Sequence, residues 1–352
     1  MSIRRFNTGL ALGLAVLGAS VLAPAVLSAQ ASAAGPGTVP RMPDGRPDLQ
    51  GDWTNATLTP LQRPAGQELI LTPEQVAEAE GGRVDYLVDL AQPSDPDRVA
   101  PPVGGDGSTG AKGGVGGYNH AVWFQAGDLV ARVNGEPRSS LLTQPPGGRR
   151  PTLLPQARER IAAGREASSG FGQYDNPENR PLAERCIISF GSSAGPPMAP
   201  NYAYNNTYTI VQTPDHIMIL TEMVHDIRII RFGERQAMPD HMRPYMGDSW
   251  GHWEGDVLVV ETTNIHPGQA FLGVAATPDL KVIERFTVVD ERTIHYEFTI
   301  EDPSTYAEPW GGEIPFTRMR PGELVYEYAC HEANYALSNI LSGARAQERG
   351  NR

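Results

Sequence analysis

Cysteine is almost absent from this sequence: two residues, Cys186 and Cys330, in a chain of 352. No Cys-x-x-Cys pair occurs, which removes the thiol-redox and cysteine–zinc signatures built on it. His-Glu-x-x-His is missing too, so the compact helical signature of a zinc hydrolase is excluded. Basic residues are outnumbered, 29 against 41 acidic ones, for a formal charge of −12. Loss of the N-terminal segment would remove Arg4 and Arg5 and take this to −14. An acidic chain without a basic tract repels phosphate backbones, so nucleic acid is not an expected partner. Beyond the N-terminus no apolar run is long enough to cross a bilayer. What is abundant is Gly (38) and Pro (31), which favours many turns and long irregular connections over a helical bundle.

The N-terminus has the layout of a secretory signal. Arg4 and Arg5 form a basic start, Leu10 to Leu27 an apolar run, and the small residues from Ser28 to Ala34 offer cleavage sites. An uncleaved anchor is the alternative. Arg4-Arg5-Phe6 partly fits a twin-arginine signal, so both general and twin-arginine export stay open. The mature chain is expected in the periplasm or outside the cell, with no membrane insertion after cleavage. In that setting an even cysteine count favours a Cys186–Cys330 disulfide over a pair of buried thiols. It would close a loop of about 145 residues, worth on the order of 4–5 kcal/mol by chain entropy.

Three stretches follow from the pattern: a signal over 1–34, an N-terminal segment over 35–165, and a strand-rich core over 166–352. Thr72-Pro73 predicts a helix start for 72–90, and Pro151 to Ser168 also reads as helix. Residues 91–117 read as a long loop. Within it, Gly105 to Lys112 imitates a phosphate loop, but the Lys is displaced by one position and no Ser or Thr follows. Strands are expected at Leu49–Asn55, His216–Met223, Ile227–Phe232, Trp250–Trp253, Val257–Thr263, Lys281–Val289, Thr293–Glu301, Ile314–Met319 and Leu324–Ala329. The tail from Glu332 to Gln347 reads as a closing helix. Ile294, Tyr296, Phe298 and Ile300 share one face of their strand; Val282, Glu284, Phe286 and Val288 share one face of the preceding strand. The expected fold is mainly β: an antiparallel barrel or strongly curved sheet with a few peripheral helices.

Several blocks are long enough to carry a resemblance. They are Pro43 to Trp53 (PDGRPDLQGDW), Asn179 to Ile187, Gly247 to Asp256 (GDSWGHWEGD), Tyr296 to Pro303 and Tyr326 to Glu332. Together they resemble a large family of exported bacterial hypothetical proteins of unassigned activity, which implies export and an intact unit rather than a chemistry. Gly51-x-Trp53 also resembles the opening of lipocalin-type (calycin) barrels. That resemblance implies a Trp on the barrel floor and a lumen for a small ligand.

Seven of the eight histidines lie between 216 and 331, on the strand-rich part, where a sheet can gather His, Asp, Glu and Arg into a site. Glu222 to Arg228 sits between two strands; His225 is a candidate base, with Asp226 to orient it and Arg228 to stabilise negative charge. Asp248, Trp250 and His252 fall on one face of a strand, making Asp248–His252 a candidate acid–base pair beside an aromatic wall. His331 follows Cys330 and would be held accurately by a disulfide. Glu222, Arg228, Trp250, Tyr204 and Asn206 are candidate substrate-binding groups. No metal is expected; a divalent ion held by His225, His252 and His331 is the minority alternative. Ser192 and Ser193 lie in a Gly191–Gly195 run with one spacer too many for a nucleophile elbow. The expected function is cofactor-independent acid–base chemistry on a small, partly apolar molecule (aromatic or sugar-like), by a lyase, hydratase, isomerase or hydrolase. A non-catalytic periplasmic carrier and a surface interaction module are the rivals.

Overall fold

Runs in which every second side chain is buried form the long strands of this chain. The computed structural model describes residues 39–90, 125–169, 172–189, 195–200, 206–236 and 238–350, all within one compact unit spanning Gly37–Arg352. Its strands are β1 (Gly51–Thr54), β2 (Arg132–Val133), β3 (Glu136–Pro137), β4 (Leu142–Gln144), β5 (Thr207–Gln212), β6 (His216–Thr221) and β7 (Ile227–Arg231). Then come β8 (Asp248–Glu254), β9 (Val257–Thr263), β10 (Ala270–Phe271), β11 (Val274–Ala275), β12 (Lys281–Asp290), β13 (Thr293–Glu301) and β14 (Trp310–Arg318). Three peripheral helices are described: α1 (Pro73–Leu90), α2 (Pro155–Ser169) and α3 (Ala336–Gly350). Thr72 and Gln75 cap α1 reciprocally, each side chain accepting the other's backbone N–H.

Nine strands close into a barrel in the order β1-β5-β6-β7-β8-β9-β12-β13-β14, with β14 returning to β1. A ring with an odd number of strands cannot alternate direction throughout. The exception is β7–β8, a parallel seam of two residue pairs, Ile230↔Ser249 and Arg231↔Trp250. The other short seam is β1–β14, again two pairs. Toward its start β14 pairs with β4 instead, where Gly312 leaves room: a Cβ there would lie 2.2 Å from the Leu141 carbonyl oxygen. So β1 and β4, from the 35–165 stretch, share one sheet with strands of the 166–352 stretch.

The inward face is dry. Trp53, Tyr208, Ile217, Ile230, Val260, Phe286, Tyr296, Ile314 and Phe316 are each almost wholly buried, and their burial is the main force holding the ring closed. One end, the floor, carries the 213–215, 255–256 and 291–292 turns. Here the Trp53 indole donates to the Leu49 carbonyl at 2.9 Å, and the Arg318 guanidinium lies 4.3 Å over its ring. Gly51, at φ 126°, makes room, since a Cβ would sit 2.2 Å from Arg318 Nη1. The other end, the mouth, carries the 222–226 turn and the 264–280 and 302–309 loops.

The tail differs from expectation. Residues 324–329 form no strand, although Arg320-Pro-Gly-Glu has hairpin chemistry. The edge of β14 that they would pair with is already taken by β1 and β4. Leu324 and Tyr326 are left exposed, and the segment runs as an extended strap. The expected signal, the 91–117 loop and its phosphate-loop mimic lie outside the described residues. Among the described residues, no helix is long and apolar enough to cross a membrane.

Candidate functional site at the barrel mouth

Between β6 and β7 the chain reverses through one tight turn, Glu222–Asp226. Val224 (φ 62°) and His225 (φ 54°) are both left-handed, a conformation that a β-branched residue rarely adopts. The buried Glu222 carboxylate accepts the Thr207 hydroxyl, tying the turn to β5. The Thr221 N–H donates to the Asp226 carbonyl at 2.8 Å. This continues the β6–β7 register and puts Asp226 on the face that carries Arg228 and Ile230, the inside. Asp226 Oδ2 is buried without a hydrogen-bond partner among the described residues. Burial pushes its pKa up to about 6, against the opposing pull of the Ser189 N–H and of His225.

Two further segments converge on this turn. The Cys186–Cys330 disulfide forms, with Cα atoms 5.8 Å apart. It fastens the strap beside the 182–189 segment, so the Tyr328 carbonyl reaches His225 Nδ1 at 3.2 Å. A carbonyl only accepts, so Nδ1 donates to it and Nε2 makes no part of this contact. Asn334 donates to Cys186 Sγ at 3.4 Å. Cys186 and Ala333 are themselves left-handed, at φ 54° and 55°.

Below Asp226 the inner wall carries charge. Arg228 grips Glu284 with two hydrogen bonds, of 2.7 and 3.0 Å, both side chains being within 3% of complete burial. The Tyr296 hydroxyl donates to Glu284 at 2.8 Å and accepts the Met198 N–H at 2.9 Å. Asn55 donates to the Met198 carbonyl and to the Tyr208 hydroxyl, at 3.0 and 3.2 Å; its own Oδ1 is buried without a partner. The buried residues Gly195 to Ala199 thus stop the barrel from the mouth side. Burial raises the Tyr208 and Tyr296 phenol pKa values, so both stay protonated.

The other candidates lie elsewhere. Asp248 is buried, but it holds Arg231 and accepts the Trp250 indole N–H at 3.0 Å. It does not pair with His252, because four residues along a strand span about 13 Å. His252 is exposed on the outer wall, 3.3 Å from Glu254. Trp250 lies outside as well, 4.4 Å beneath the Arg231 guanidinium. Asn206 is completely buried near the mouth and donates to the Gln125 carbonyl. His331 is exposed on the strap. Tyr204 lies outside the described residues, as do Ser192 and Ser193. Gly247 to Gly251 has nucleophile-elbow spacing, yet Ser249 sits within β8, buried and bonded to Thr262 Oγ1 at 2.8 Å. Among the described residues, no three His, Cys, Asp or Glu side chains gather to hold a metal ion.

Glu284, Tyr296 and Asn55 were not among the candidates. Glu284 had a visible signal, a lone charge in the apolar register of β12, but nothing in the pattern named Arg228 as its partner. Comparison with family models, curated proteins and solved structures finds no match for this chain.

Proposed function

We propose that this is an exported protein, periplasmic or secreted, that binds a small, partly apolar organic molecule at the barrel mouth and transforms it by acid–base chemistry. One observation carries the reading: Asp226, inward at the rim, has a buried carboxylate oxygen with no hydrogen-bond partner among the described residues. A carboxyl that titrates near 6 both takes and returns a proton at ordinary pH. In the proposed step Asp226 accepts a proton from the bound molecule and gives it back to the rearranged product. His225, its tautomer set by the Tyr328 carbonyl, relays protons to solvent through Nε2. The left-handed Val224 and His225 fit this role, since strained backbone is tolerated where a side chain must be aimed. Returned to the same molecule, the proton completes an isomerisation; returned to a leaving group, an elimination; taken from an attacking water instead of the bound molecule, a hydration or hydrolysis; none of these needs a redox cofactor.

A carrier is the second reading. It is favoured by the inner wall, where Arg228, Glu284, Tyr296 and Met198 already satisfy one another. Ligand-observed NMR with a panel of ring-bearing acids, amides and sugars, followed by product analysis, separates the two. The proposal expects wild type and Asp226→Asn to bind the same compound and only wild type to convert it. Conversion that survives Asp226→Asn, or binding without conversion in wild type, contradicts it.

A further inference from the structure

We propose a second small-molecule site, outside the barrel, in the cavity of about 390 Å³ between α1 and the 58–67 loop. Its volume falls in the range of ligand pockets. Leu58, Pro60, Pro64 and Val130 give it apolar walls, and the prolines offer flat faces to a ring. Most of its polar lining is already bonded within the chain. The Thr59 hydroxyl donates to the Arg138 carbonyl at 2.9 Å and accepts the Ala131 N–H at 2.8 Å. Ser139 donates to the Glu68 carbonyl, and the Gln75 side chain caps α1.

Arg138 stands apart. Its side chain is only 8% exposed. Nε donates to Glu313 at 2.6 Å and Nη1 to Glu136 at 2.8 Å, while Nη2 has no hydrogen-bond partner among the described residues. It is the one charged donor on the lining. The surrounding charge selects the acceptor. Glu313 and Glu136 more than neutralise the guanidinium, and Glu78 adds a carboxylate from the α1 wall. Free anions are therefore repelled, whereas an uncharged carbonyl is accepted. The ligand class is a neutral, ring-bearing amide: the carbonyl toward Arg138, the ring against the prolines, an N–H toward Glu78.

Benzamide is the probe and benzoate its charged control, titrated calorimetrically into the full mature chain. Benzamide should bind saturably, and benzoate on the order of ten-fold more weakly or not at all. Ala79→Trp, which fills the cavity from an exposed position on α1, should weaken benzamide by about ten-fold or more; Ala79→Met, a smaller filler, should give an intermediate loss. Ala79 lines this cavity and not the mouth, so its variants report this site whatever becomes of the proposed chemistry. Equal binding of the two probes, no binding of benzamide, or undiminished binding by both Ala79 variants each overturns the proposal.

Discussion

The two ends of this barrel handle difficult backbone and difficult charge in opposite ways. At the floor, left-handed positions are given to glycine: Gly45, Gly51 and Gly255. The floor's ion pairs lie at the surface, Arg41 on Asp256 and Arg285 on Glu254. At the mouth glycines are left-handed too (Gly195, Gly247 and Gly273), but non-glycine residues join them: Cys186, Val224, His225, Asn264, Leu272 and Ala333. Among the described residues, buried oxygens without a hydrogen-bond partner lie there, Asp226 Oδ2 and Asn55 Oδ1, against one indole N–H, of Trp253, near the floor. A floor built to be stable and a mouth built to hold side chains in costly arrangements is the division expected of a scaffold that carries a site.

Removing what holds the mouth should have the largest effect. Cys186→Ala with Cys330→Ala should cost about 5 kcal/mol in urea unfolding, the chain-entropy figure for so long a loop. Hydrogen exchange should quicken at 223–227 while the 213–215 floor turn keeps its protection. Equal loosening at both ends would erase the comparison. Next comes Glu284→Ala, which strands the Arg228 charge inside the barrel and should cost about 3–5 kcal/mol. Arg228→Met with Glu284→Leu should recover most of that, because an apolar pair of similar size needs no partner.

Paired backbone variants sharpen the contrast. Gly51→Ala at the floor should cost about 1–3 kcal/mol, since it adds a Cβ where φ and the Arg318 guanidinium both oppose it. His225→Gly at the mouth should leave stability unchanged or raise it by up to about 1 kcal/mol, by relieving a left-handed residue, while abolishing turnover. Stability falling equally in both would mean that the mouth is not strained.

A further effect depends on pH. Folded Asp226 keeps its proton up to about 6, above its ordinary 3.8. Between these values the folded chain binds more protons than the unfolded one, so this residue's contribution is greatest below about pH 4 and is lost as pH rises toward 6. Asp226→Asn removes that loss and should be more stable than wild type above pH 6, by about 1–2 kcal/mol after allowance for solvent screening. Chemical denaturation of both proteins at pH 4 and pH 7 reads the difference.

The barrel was legible wherever one face is dry, because a period of two fixes both strand and facing; β9, β12 and β13 were read almost to the residue. Ring closure was not legible, since it rests on two-residue seams whose partners are far apart in sequence. For the same reason Leu324–Ala329 read as a strand: local turn chemistry cannot reveal that β14 has no free edge. In the site, Glu222, His225, Asp226 and Arg228 were legible because neighbours in one turn stay neighbours in space. Asp248 and His252 were misjoined, because sharing a strand face does not bring side chains within reach. Arg228 and Glu284 each break an apolar run, yet only the folded barrel joins residues 56 positions apart.

Carbon-13 NMR titration of the Asp226 side chain, assigned by the signal lost in Asp226→Asn, reads the state of its carboxyl group directly. A midpoint for Asp226 of about 6 is predicted; a midpoint near the ordinary carboxylate value would show it solvated and remove it as the proton carrier.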